Sequence, residues 1–256
     1  MKKLVRLFAV IAMMIMGGQA MAQTSGAMYL GASFPMKDFA RYDGVNEFAL
    51  QTVDATQAGA AIGFNAGFKW YFNVGVKGLG VMLSLDGFYN GPNSDLKADY
   101  RNGQWGGQWI NGTLTYNATP KYFNVPAMLG VNYLYNINPQ LGVYAEAGLG
   151  GNMRFITEME SVGSLNVGEY EAMSVKTTQK YDNVFSFAFQ AGLGFEVAKN
   201  LRIGCSFYNL GKGDVKGEET VKTTTINNNA SNTETTYRTF GTIQPIMVLG
   251  RIGFSF

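Results

Sequence analysis

No histidine occurs anywhere in the 256 residues, and there is a single cysteine, Cys205. The first absence removes the imidazole-based nucleophilic arrangements of hydrolases, whether the nucleophile is serine or cysteine. Both together exclude zinc sites built from His and Cys. One cysteine also rules out an intrachain disulfide, so Cys205 counts as a small apolar residue. Long hydrophobic runs are missing too. Beyond the first 22 residues no apolar run approaches the roughly 18 residues that a membrane-crossing helix requires. GLGG at 148–151 is followed by no helix pattern and makes no phosphate cradle. No cofactor and no metal site are expected, and an enzyme is not.

What is present begins with MKKLVRLFAVIAMMIMGGQAMAQ. Lys2, Lys3 and Arg6 precede a short apolar run from Leu7 to Met16, and Ala20-Met21-Ala22 supplies a small-x-small cleavage site. This is the pattern of a secretory signal peptide over 1–22, leaving a domain over 23–256. Gln23 takes the place a lipoprotein signal would give to cysteine. Losing three basic residues and no acidic ones takes the formal net charge from +2 to −1. A near-neutral chain has no electrostatic case for binding nucleic acid.

The stretch VFSFAFQAGLGFEV at 184–197 alternates without a break. Period two over that length is a long β-strand with one apolar face and one small or polar face. The same alternation recurs near 26–34, 59–72, 81–90, 122–135, 141–151, 201–210 and 243–256. In 59–72 the residues Ala60, Ile62, Phe64, Ala66, Phe68, Trp70 and Phe72 share one face, opposite Asn65, Lys69 and Tyr71. Pro126 interrupts the segment 122–135 and predicts a bulge or a locally unpaired position.

The connections sort themselves. Short turns lie at 73–80, 136–140 and 198–200, and long loops at 35–58, 91–121, 152–183 and 211–242. Alternating short and long connections are the pattern of bacterial outer-membrane barrels. Aromatic residues gather at segment ends, Trp70, Phe72, Tyr133 and Tyr135 at one rim and Tyr89, Tyr122 and Phe185 at the other, as an interface girdle would. The expectation is an all-β, eight-stranded antiparallel up-and-down transmembrane barrel, its phenylalanines facing lipid. Ten strands, with a loop hairpin counted in, is the alternative count. A soluble secreted sandwich is the alternative architecture.

The segments GASFPMKDFA at 31–40, YFNVPAMLGVNY at 122–133 and the closing GRIGFSF resemble the small OmpA/OmpX-like outer-membrane barrels, a family of outer-membrane β-barrel domain or porin-family proteins. The resemblance implies a bacterial outer-membrane location in a Gram-negative envelope, and a fold rather than a function. An even strand number would put both termini in the periplasm. The terminal strand, ending in Phe254 and Phe256, is similar to the signal such proteins present to the barrel assembly machinery. With the chain ending at that strand, no peptidoglycan-binding domain is expected after it.

Eight strands enclose an interior just wide enough for side chains to fill. Its expected charges are Lys69, Arg202 and Arg251 against Asp86, Glu146 and Glu196, with Asn65, Asn132, Tyr144, Gln190 and Tyr208 between them. Charges inside a dry cylinder must pair. Lys69, Glu196 and Arg202 are expected near the short turns, and Asp86, Glu146 and Arg251 nearer the middle. The pairs either plug the lumen or line a narrow ion path that opens when partners exchange. GQWGGQW at 103–109 puts Trp105 and Trp109 in a loop, where they either contact a sugar or protein partner or pack on themselves. Thr-rich segments around Asn-rich 227–229 predict a hairpin in the last loop, and the third loop reads similarly. The acidic pairs Glu158/Glu160 and Glu218/Glu219 read as solvated loop charges. Function is therefore expected to be non-catalytic, structural or surface-interacting through the loops, with a narrow porin-like channel as the alternative. The partners expected are outer-membrane lipid, the assembly machinery, and an extracellular protein or glycan of unknown identity.

Overall fold

The computed structural model describes residues 24–41, 58–92, 101–105, 108–167, 170–225 and 230–256. The signal peptide expected over 1–22 lies outside them, as does most of the first long loop. In chain order the strands are β1 (Thr24–Met36), β2 (Gly63–Asn73), β3 (Leu79–Asn90), β4 (Arg101–Trp105), β5 (Gln108–Ala118), β6 (Tyr122–Asn138) and β7 (Leu141–Ile156). They continue with β8 (Met159–Val167), β9 (Tyr170–Tyr181), β10 (Val184–Val197), β11 (Leu201–Asn209), β12 (Gly213–Thr225), β13 (Ala230–Ile243) and β14 (Ile246–Ser255). A single 3-10 turn over Lys37–Phe39 follows β1.

Eight strands close into a barrel in the order β1-β14-β11-β10-β7-β6-β3-β2, antiparallel throughout. The eight alternating segments of the sequence are these eight strands. Their outward faces are apolar: Phe187 is 84% exposed and Leu149 71%, while Gln190 and Glu196 point inward. A soluble sandwich would bury those phenylalanines, so the alternation reports an outside-in barrel. Cys205 is exposed, on β11. Pro126 behaves as a proline in a ladder must. Pairing between β3 and β6 lapses between Leu85↔Ala127 and Phe88↔Asn124, and within the gap the Gly87 carbonyl accepts from Asn65 Nδ2 at 3.1 Å.

Two residues differ from their sequence assignment. Ala60 lies before β2, bridged to Pro92 and buried, so it does not belong to the outward face. Tyr122 points inward, donating its hydroxyl to the Ala58 carbonyl at 2.6 Å and stacking edge-on against Phe39. The aromatic band at that rim is instead Phe64, Tyr89 and Phe123, each ring 5.1 Å from the next.

The long loops do more than form separate hairpins. The second, third and fourth of them join in one six-stranded sheet, ordered β13-β12-β9-β8-β5-β4. The pairings β12–β9 and β8–β5 run between loops. The reason is continuity of the wall: β10 and β11 pair in the barrel, and β9 and β12, which lead into and out of them, pair again above it.

Candidate functional site

Each inward side chain is placed by the two-residue period of its strand. Near the short turns, Glu196 on β10 and Arg202 on β11 are register partners across the 198–200 turn. The guanidinium donates to Glu196 Oε2 from Nη2 at 2.7 Å and from Nε at 2.8 Å. Its planar face lies 4.4 Å from the centre of the Tyr71 ring, and Nη1 reaches the Tyr29 hydroxyl at 3.3 Å. Tyr29 and Tyr71 share a hydroxyl–hydroxyl bond of 2.8 Å.

Above this layer, Arg251 on β14 donates from Nη2 to Asp86 Oδ1 on β3 at 2.7 Å and from Nε to Asn65 Oδ1 at 3.0 Å. Tyr208 donates to the second Asp86 oxygen at 2.9 Å. Lys69 bonds to Glu146 on β7. The sequence grouped Lys69 with Glu196 and Arg202; the structure moves it to the partner expected nearer the middle. Gln190 Nε2 reaches Ser84 Oγ at 3.4 Å. The six charges thus form three ion pairs, all nearly solvent-free. Asn132 and Tyr144 are buried among the inward residues as well.

Three interior features escaped the sequence reading. Tyr29 on β1 joins Tyr71 at the centre of the turn-end layer, where β1 also turns Ala27 inward. At the loop end of the lumen sits a buried apolar cluster that includes Phe39, Tyr122, Val184, Leu210, Val215, Phe240 and Ile243. Arg154, completely buried, lies inside the segment read as the start of a loop. Its signal was available, since Asn152 and Arg154 continue the alternation of β7 against outward Met153 and Phe155.

The remaining candidates lie outside the lumen. The backbone of Trp105 pairs with Gln108 and that of Trp109 with Gln104, making the β4–β5 hairpin. The acidic loop pairs are not merely solvated. Glu160 accepts from Lys176 at 2.7 Å and Asn117 at 3.0 Å, which hold its carboxyl below the usual range, the lysine bond counting most. Glu219 is buried and accepts from Gln179 at 2.9 Å and Arg238 at 2.8 Å. Glu218 is exposed beside it, on the other face of β12. Phe254 and Phe256 are exposed on the outer wall, and Phe256 closes the seam with reciprocal backbone bonds to Gly26 at 2.9 Å. Among the described residues no group of three or more metal-ligating side chains occurs.

A closed antiparallel wall, apolar outside and ion-paired inside, defines a membrane β-barrel. The chain belongs to the family described as Outer membrane protein beta-barrel domain, whose profile matches residues 8–233. This places it in the bacterial outer membrane. Among solved structures it is similar to Ail, the attachment invasion locus protein of Yersinia pestis, at 14% identity over 91% of this chain and 97% of that one, TM-score 0.35. It is also similar to Neisserial surface protein A, at 11% identity over 91% and 96%, TM-score 0.36. A third is OprG from Pseudomonas aeruginosa, at 11% identity over 93% and 98%, TM-score 0.42. No curated protein matches the sequence.

Proposed function

We propose that the protein is a non-catalytic outer-membrane barrel whose lumen is plugged and whose long loops form an interaction surface outside the cell. The observation that carries this reading is the division of labour along the axis. Three buried ion pairs bridge the interior and an apolar cluster gathers at its loop end, while the loops build a sheet beyond it. That sheet ends at β13, where residues 230–237 are all exposed and mostly hydroxyl or amide side chains. An edge of this kind suits an extended protein segment held by main-chain hydrogen bonds. Both termini are periplasmic in this reading, and the strand ending in Phe254 and Phe256 is offered to the assembly machinery.

The test replaces 213–243 by a short turn and compares the folded variant with the full chain on an array of extracellular proteins and glycans. Binding by the full chain that the variant loses supports the proposal. Equal binding by both, or binding by neither, counts against a surface role for this hairpin. Protease applied to intact cells should cut within 213–243, and protection there would reverse the orientation.

The second reading, a narrow channel, is favoured by one observation. Glu146 Oε2 and Arg251 Nη1 are buried and make no hydrogen bond among the described residues. A swing of Arg251 from Asp86 to Glu146 would exchange partners and change the width of the lumen.

A further inference from the structure

The barrel wall breaks where the last loop begins. The β11–β14 ladder ends at Asn209, with one more backbone bond from Leu210 N to Pro245 O at 2.9 Å, and pairing resumes at Gly213 on β12; the return passes from Ile243 through Gln244 and Pro245 to Ile246. Gly211 takes a left-handed φ of +77°, and a Cβ there would meet the Phe187 carbonyl oxygen. Carbonyls at such a break lose their ladder donors, and buried ones must find others.

The two strands next to β11 in the wall, β10 and then β7, supply them. Ser186 donates to the Leu210 carbonyl at 2.6 Å, and Asn152 to the same oxygen at 3.4 Å. Arg154 does most. Its Nη2 donates to Gly211 O at 3.1 Å, its Nη1 to Ile243 O at 3.2 Å and its Nε to Asn124 Oδ1 at 3.2 Å. No carboxylate is among these partners. A buried cation held only by carbonyl and amide oxygens is a costly choice if bulk alone were needed. Three acceptors in different directions match the fixed fork of a guanidinium, which an ammonium cannot reproduce. Directly around the break, Leu210, Val215, Phe240 and Ile243 contribute to the apolar cluster.

We infer that Arg154 is a latch, a positioning residue that ties both feet of the β12–β13 hairpin to the barrel mouth. It thereby sets the stance of the loop sheet and holds the cluster in place. This deepens the proposed surface role and rests on it only for biological meaning, since the latch itself is a matter of local stability.

The experiment measures hydrogen exchange on the full chain, folded in phospholipid vesicles, for the wild type, Arg154→Met and Arg154→Lys. A heat-dependent gel shift reports the barrel in each. Arg154→Met should raise exchange at least tenfold at 210–216 and 240–245 with β10 unchanged and the shift retained; Arg154→Lys should fall between. Unchanged exchange at those segments would overturn the latch. So would a uniform rise over the whole barrel, which would make Arg154 ordinary packing. Should Arg154→Met fail to fold, Ser186→Ala removes one clamp of the same foot. It should raise exchange at 210–213 by a smaller factor, and no rise there would also overturn the inference. The exchange readout does not depend on any ligand. A working latch combined with no partner on the array would therefore leave this inference standing and the surface role fallen.

Discussion

Arg251 and Asp86 face each other across the barrel with two strands, β1 and β2, between their own, and bond at 2.7 Å with neither side chain more than 1% exposed. The pair fastens β14 to β3 through the lumen, and Asn65 and Tyr208 complete its hydrogen bonds.

Breaking it from one side leaves a buried charge without its counter-ion. Arg251→Met or Asp86→Leu alone should each cost about 3–5 kcal/mol in denaturant unfolding of the vesicle-folded barrel. The double variant should cost less than either single one, because no charge is then stranded. A double variant that costs the sum would mean that the two residues act independently.

The outer wall should respond to charge as hydrocarbon does. Leu149 and Leu129 are outward register partners near the middle of β7 and β6. Leu149→Arg should cost about 2–4 kcal/mol when unfolding is measured in bilayers. A cost near zero would place this belt outside the membrane.

Much of this was legible in the sequence, and the reason is periodicity. In β10 every second residue faces lipid, so Phe185 to Val197 announce both the strand and its outward side. The lumen charges follow from the same count, one residue over. What stayed hidden depended on contacts between segments distant in the chain. Val215, Phe240 and Tyr122 form the apolar cluster only when the loop feet converge on the barrel mouth, and nothing local marks them. The lateral pairing β12–β9 was hidden for the same reason. Arg154 is a different case, since it lies just past the expected end of β7 at 151, among residues with loop-like composition.

The short turn after β10 carries a local strain. Ala198 and Lys199 both have positive φ, 52° and 64°, without being glycine. Ala198 and Lys199 are the central positions of the turn closed by Asn200 N to Val197 O, and central positions of this hand favour Asn-Gly. Replacing Ala198 by Asn and Lys199 by Gly should stabilise the barrel by about 1 kcal/mol. A loss of stability would show that those side chains make compensating contacts.

The loop sheet should loosen in acid. Glu160 has a lowered pKa when folded, through its bonds to Lys176 and Asn117. Its contribution is therefore fully present above the ordinary carboxylate range and is lost as pH falls through the lowered folded value. Proteolysis of β8 and β9 should rise over that fall, and Glu160→Gln should flatten the dependence. An unaltered profile in the variant would assign the effect to another group.

The central claim is that paired charges and an apolar stopper close this barrel. Single-channel recording of the folded chain in a planar bilayer tests it most directly. A silent bilayer, with folding verified by the heat-dependent gel shift, is the result this account predicts. A steady conductance that falls on changing Arg251 or Glu146 would contradict it and put those charges in an open path.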